Sequence, residues 1–180
     1  MIEIMSSEIA LLLPSSCRRS ISFEAGEPIF HLGDKVRFIY IVRSGLIHLF
    51  RDQENGARLM LQRAEAGSIL AEPSLFSDTY HCNAVAVRMT EAWSISRDVI
   101  RDRLRSGGVF AEAWTKHLGN EVQRSRLQSE ILSIRQVSAR LDAWLVWHGS
   151  LPAKGGWITL AAEIGVSPEA LYREIGRRKS

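Results

Sequence analysis

Ile158-Thr-Leu-Ala-Ala-Glu-Ile-Gly-Val-Ser-Pro-Glu-Ala-Leu-Tyr-Arg-Glu-Ile-Gly-Arg-Arg178 holds two short helical patterns joined by a turn. Leu160, Ala161 and Ile164 make a small apolar face. Gly165 is the residue type that ends a helix in a left-handed cap, and Val166 is expected to bury beneath the turn. Ser167 suits an N-cap, Pro168 the first helical position and Glu169 the first turn. Leu171 and Ile175 lie one helical turn apart and face inward, which leaves Glu169, Tyr172 and Arg173 outside. This spacing predicts a helix-turn-helix, a motif whose second helix lays its N-terminal side chains against base edges in the major groove. A plain helical hairpin with a capped second helix carries the same local signals.

Upstream, Leu141, Trp144, Leu145 and Trp147 begin a small core that Trp157 and Ile158 are expected to close. Residues 110–134 can run as one long helix, with Gly119 its weak point, after a short helix over 98–104 broken by Gly107-Gly108. Trp114, Leu118, Val122, Ser125, Ser129 and Leu132 fall on a rough heptad stripe. The stripe predicts a dimer seam; the alternative is packing against the chain's own barrel. Its serines argue against a strong stand-alone coiled coil.

Residues 21–96 have a different texture, with short strand patterns at 21–24, 38–42, 46–51, 58–62, 69–71, 83–87 and 92–95. Gly26, Gly33-Asp34, Ser44-Gly45, Asn55-Gly56 and Gly67 punctuate them, and Asn55-Gly56 is the strongest hairpin signal. Evenly spaced strands predict a small antiparallel barrel or sandwich. A lead-in helix is expected over 4–13, ended by Pro14. The fold class is therefore α+β: an N-terminal antiparallel β-roll or jelly-roll barrel over 1–109, a long dimerisation helix and hinge over 110–136, and a C-terminal helix-turn-helix domain over 137–180.

At 180 residues and 46% hydrophobic composition, one or two small domains with a real core are possible. The net charge of +3 and pI of about 9.1 permit a nucleic-acid partner without requiring one. No apolar run reaches membrane-spanning length. Glu3 and Glu8 precede and interrupt the first apolar stretch, so a signal peptide is not expected. Cys17 and Cys82 fit a reducing, cytoplasmic setting better than a disulfide scaffold.

Barrel, long helix and helix-turn-helix in that order resemble the CRP/FNR family of bacterial transcription regulators. The resemblance covers roughly residues 20–178. It rests on Phe23-Glu-Ala-Gly-Glu-Pro-Ile-Phe30, Gly33-Asp34, Tyr40-Ile-Val-Arg-Ser-Gly45, Gly67, Glu72 with Ser74-Leu-Phe76, and Ser167-Pro-Glu-Ala-Leu-Tyr-Arg173. It implies a homodimer on a two-fold DNA site, with double-stranded DNA, a small-molecule effector and RNA polymerase as partners and no membrane. Ser167, Pro168, Glu169, Tyr172 and Arg173 would meet DNA. Arg173 suits two bonds to a guanine and Glu169 accepts from a cytosine amino group. The same spacing allows an i,i+4 Glu169–Arg173 ion pair. Arg177, Arg178 and Lys179 suit phosphate contacts. One departure is that relatives continue into a β-wing, whereas this sequence stops at Ser180; DNA binding is then expected to be weaker, or lost.

Cyclic-nucleotide-binding members carry a Gly-Glu pair and a later Arg-Ser pair that holds the cyclic phosphate. The matching residues here are Ala71-Glu72 and Cys82-Asn83. Burying a phosphate with no cationic partner costs several kcal/mol, so the resemblance implies an effector other than cyclic AMP unless Arg88 or Arg126 substitutes. Glu72, Ser74, His81, Cys82, Asn83, Ser125 and Arg126 are the expected pocket residues. His81 and Cys82 can ligate metal or haem, and Cys82 is a redox thiol if a cation lowers its pKa; otherwise His81 is solvated surface and Cys82 a small buried hydrophobe. Two cysteines exclude a four-cysteine iron–sulfur cluster in one chain. No cupin histidine set, phosphate loop, nucleophile elbow or His-Glu-x-x-His helix is present, so no enzyme is expected. The competing expectation is a ligand-sensing β-roll that acts through a protein partner, with a degenerate helix-turn-helix.

Overall fold

Alternating apolar residues rich in Ile, Val, Leu and Phe drive the first half into strands, and their buried faces close on a shared core. The computed structural model describes residues 8–54 and 58–178. Six strands form one antiparallel sheet: β1 (Arg19–Phe23), β2 (Pro28–Phe30), β3 (Phe38–Asp52), β4 (Arg58–Ala64), β5 (Ile69–Leu70) and β6 (Asn83–Ser96). The order is β1-β6-β3-β4, with β2 also on β6 and β5 also on β3. Five helices follow: α1 (Arg97–Ser106), α2 (Gly108–Ser133), α3 (Val137–His148), α4 (Trp157–Glu163) and α5 (Pro168–Arg178). The α+β roll followed by a helical domain is the architecture expected. The Asn55-Gly56 turn, Lys179 and the start of the lead-in helix lie outside the described residues; residues 8–11 are helical.

The sequence suggests a turn at Ser44-Gly45 and two strands on either side of Arg88. Instead β3 and β6 each run unbroken past these points, paired from Phe38↔Ser96 to Phe50↔Asn83. The register shifts between Val42 and Ser44, between Ser44 and Leu46, and between Leu46 and Ile47. Gly45 absorbs the irregularity with φ 103°, a conformation open to glycine at little cost. A Cβ there would collide with Thr90, whose backbone Cα would lie 2.5 Å away. Gly107 does end a helix, with φ 70° as the C-cap of α1.

The chain divides into two compact units, residues 1–118 and 119–180. The first is centred on Ile39, Ile41, Ile47, Ile69, Leu70 and Ile95, and includes Ile9, Leu13, Phe110 and Trp114. Phe30 and Tyr80 stack with ring centroids 4.0 Å apart. Small residues Ala84, Ala86 and Ala92 are buried on the central strand β6, where larger side chains would overpack the roll. Ile131, Leu141, Trp144, Leu160, Ala161, Ile164, Leu171 and Ile175 make the core of the second unit. Trp147 and Ile158 do not join it: they are 49% and 63% exposed. Helical phase explains Ile158, because Leu160, Ala161 and Ile164 hold the inward side of that segment. Likewise Trp114 is buried in the barrel core rather than in the predicted seam, whereas Leu118, Val122 and Leu132 are exposed. No helix among the described residues is long and apolar enough to cross a membrane.

Candidate functional site

The turn between α4 and α5 forms as its residues dictate. Gly165 takes φ 64°, and the following Val166 N–H reaches back to the Ala161 carbonyl at 2.9 Å. Ser167 Oγ accepts from the Ala170 N–H at 3.2 Å, an N-cap that satisfies one open donor of α5. The pKa of the Glu169 carboxyl is lowered by its own backbone N–H and then by the Ser167 side chain. Leu171 and Ile175 are fully buried, which turns Glu169 and Arg173 to solvent. No Glu169–Arg173 ion pair forms among the described residues. Tyr172 is half-buried and packs on Trp157, centroids 5.2 Å apart; Pro168 is half-buried as well.

Arg178 departs from expectation. Its guanidinium bonds Glu174 at 2.8 Å, Asp142 at 2.7 Å and the Ser138 carbonyl at 2.9 Å. It therefore ties the end of α5 to α3 instead of pointing at phosphate. Helical spacing explains the Glu174 contact (i,i+4), but only the packing of α5 on α3 brings Asp142 and Ser138. Arg178's bond is the main cause that lowers the pKa of the Glu174 carboxyl. Arg177 also pairs with Glu174, at 2.8 Å, but its side chain is 72% exposed.

A second fixed point is Arg140 of α3. Its Nε donates to the Ile134 carbonyl at 2.6 Å. One Nη donates to Ile164 at 2.9 Å and Gly165 at 2.7 Å, and the other to Leu132 at 3.0 Å. One planar guanidinium thus satisfies carbonyls at the end of α2 and at the turn before α5, using the fork of donors that only arginine has.

In the barrel, Ala71 is the only non-glycine residue with positive φ among those described, at 68°. That backbone turn starts a short 3-10 segment, Glu72–Ser74, and puts Glu72 and Ser74 inside. Ser74 Oγ and His81 Nδ1 share a hydrogen bond of 2.8 Å. Asn83 Oδ1 accepts from the Leu32 N–H at 2.9 Å. Cys82 is buried, and that burial pushes its thiol up to about 11 despite the opposing pull of Arg51. The thiol is therefore protonated near neutral pH, which favours the small buried hydrophobe over the alternative of a cation-activated redox cysteine. Burial, then Arg51, lowers the His81 pKa, so the imidazole is neutral too. Among the described residues no group of three or more His, Cys, Asp or Glu side chains is placed to hold a metal.

Glu72, Ser74, His81, Cys82 and Asn83 are thus brought to one region, but Ser125 and Arg126 belong to the second unit and are exposed on α2. Arg88 does not substitute for the missing cation: it pairs opposite Leu46 and donates to the Gly45 carbonyl at 3.2 Å. The cation that does reach this loop is Arg51, whose Nε donates to the His81 carbonyl at 2.7 Å. Sequence reading missed it because no local motif links positions 51 and 81. Only the register of β3 on β6 does, with Phe50 opposite Asn83.

Residues 20–107 match the family described as the cyclic nucleotide-binding domain. The cyclic AMP receptor protein of Thermus thermophilus is 28% identical over 120 residues, which span 66% of this chain and 56% of that protein. The global nitrogen regulator of Synechococcus elongatus is 24% identical over 161 residues, 86% of this chain and 71% of that protein. The structure of FixK2 from Bradyrhizobium japonicum superposes with a TM-score of 0.70 at 14% identity, covering 89% of this chain and 83% of that one. At that identity the likeness is one of fold.

Proposed function

We propose that this chain, a member of the CRP/FNR family by its cyclic nucleotide-binding domain and its succession of roll, long helix and helix-turn-helix, is a DNA-binding transcription regulator. It acts as a homodimer and answers to an effector other than cyclic AMP. The observation that carries this reading is a fully formed helix-turn-helix whose Glu169 and Arg173 are exposed and not paired to each other. An arginine with no carboxylate partner among the described residues can offer its donors to a guanine edge, and a carboxylate accepts from a cytosine amino group. Ser167 and Pro168 lie at the same helix end, and Arg177 has an exposed guanidinium for phosphate.

Binding to the upstream region of its own gene, followed by fluorescence anisotropy, tests it. Arg173→Ala is expected to cost about 1–3 kcal/mol and to relax preference at one base pair per half-site. Half-site centres should lie about 34 Å apart, one turn of DNA. A folded dimer with no sequence preference even at low salt would abandon this reading for a module that acts through a protein partner.

The homodimer is supported by the exposed apolar side chains of α2, Leu118, Val122 and Leu132. Sedimentation should give twice the chain mass of 20.2 kDa. Replacing Val122 and Leu132 with glutamate should return the single-chain mass. A monomeric parent at tens of micromolar would remove the proposal.

The effector claim is supported by the neutral, buried Cys82 at the position where the resemblance requires an arginine. A thiol at that position supplies no positive charge to offset a buried cyclic phosphate. Calorimetry with cyclic AMP is expected to show no binding at physiological nucleotide concentration. A micromolar dissociation constant would overturn this and would name Arg51 as the cation responsible.

A further inference from the structure

Away from both regions, the barrel unit holds an open cleft of about 660 Å³ lined by Lys35, Arg37, Phe38, Asp78, Arg97 and Asp98 among others. It forms where the segment before β3, the loop before Tyr80 and the first turn of α1 meet. The backbone there is firmly stitched. The Val36 N–H donates to the Asp78 carbonyl and the Arg97 N–H to the Arg37 carbonyl, each at 2.9 Å, and Lys35 bridges Thr79. Three cationic and two anionic side chains face this space, yet none of the five takes part in an ion pair among the described residues. Arg97 is oriented by a 2.7 Å bond to the Ser77 carbonyl, while its Nε is buried without a hydrogen-bond partner. The Phe38 ring, 41% exposed, forms an apolar wall.

We propose that this cleft binds a hydroxylated organic phosphate. The phosphate oxygens accept from the guanidinium groups of Arg37 and Arg97 and from the Lys35 ammonium, and the hydroxyls donate to Asp78 and Asp98. Charge-assisted bonds from guanidinium suit a tetrahedral dianion. The two carboxylates select for the rest of the molecule, since they repel a bare anion and accept from an alcohol. The volume is that of a small-molecule site rather than of an ion. This site is separate from the Glu72 region, but Arg97 holds Ser77, three residues beyond Ser74, so occupancy bears on the same loop.

Backbone amide NMR of the full chain, titrated with ribose 5-phosphate, inorganic phosphate and ribose, tests the proposal. Ribose 5-phosphate should give saturable shifts at residues 35–38, 78 and 96–98. Inorganic phosphate should bind at least about tenfold more weakly, because it lacks the hydroxyl contacts, and ribose should not bind. The double variant Lys35→Gln, Arg37→Gln changes only exposed side chains and should abolish the ribose 5-phosphate shifts. Asp98→Asn should weaken ribose 5-phosphate while leaving or strengthening inorganic phosphate. Arg103→Gln, on the exposed face of α1, should change nothing. No saturable shifts in the parent, equal binding of ribose, or equal losses in the double variant and in Arg103→Gln would each overturn it. So would unchanged binding in both the double variant and Asp98→Asn.

Discussion

Gly45→Ala should lower the stability of the barrel unit by about 2–5 kcal/mol, from the left-handed strain of a non-glycine residue plus overpacking. The added Cβ meets the Thr90 Oγ1 and backbone, and the Met89 carbonyl would lie 2.6 Å from it. The main-chain atoms cannot swing aside as a side-chain tip would. Thr90 is itself committed: its Oγ1 accepts from the Leu46 N–H at 3.1 Å and donates to the Arg88 carbonyl at 2.8 Å. The substitution therefore breaks the pairing of the two central strands at its most irregular point. Small domains hold only about 5–15 kcal/mol in total, so a large fall in the denaturant midpoint is expected. A midpoint within experimental error of the parent would show that the bulge is not fixed as described.

Arg140→Ala should have its effect in the other unit. It removes charged donors from four carbonyls at once, those of Leu132, Ile134, Ile164 and Gly165. A bond to a charged group contributes about 1.5–3 kcal/mol when deeply buried, and these are only partly so, which gives about 2–4 kcal/mol for the set. Amide exchange at residues 160–171 should accelerate while the strands of the roll keep their protection. If the proposed function holds, DNA affinity should fall with it although neither Glu169 nor Arg173 has changed. Arg140→Lys should recover little, because an ammonium cannot fork between two helix ends. Unaltered exchange across the turn would contradict this.

Features encoded within a few residues were legible in the sequence: the Gly165 cap, the Ser167 N-cap, the break at Gly107-Gly108 and the inward Leu171 and Ile175. Their physics is local hydrogen bonding and helical phase. Features set by distant partners were not. Ser44-Gly45 has the composition of a turn, yet the long pairing of β3 with β6 overrides that preference and uses the glycine as a bulge. Trp114 fits a heptad stripe equally well as a core residue; only the roll above it decides. Arg51 becomes part of the Glu72 region through sheet register alone. Arg178 reads as a basic tail until α3 supplies Asp142 and the Ser138 carbonyl. The strained Ala71 gave no signal either, because alanine has no preference for that backbone region.

The engagement of Arg178 has a consequence for the thermodynamics of association with a polyanion. Counterions condensed on a duplex are released only by cations that reach its phosphates. On the proposed function, a guanidinium already engaged by both Glu174 and Asp142 is expected to displace few. The module's basic C-terminal helix therefore carries fewer effective charges than its arginines suggest. Its affinity should depend correspondingly less on ionic strength, with discrimination resting on base edges more than on backbone attraction.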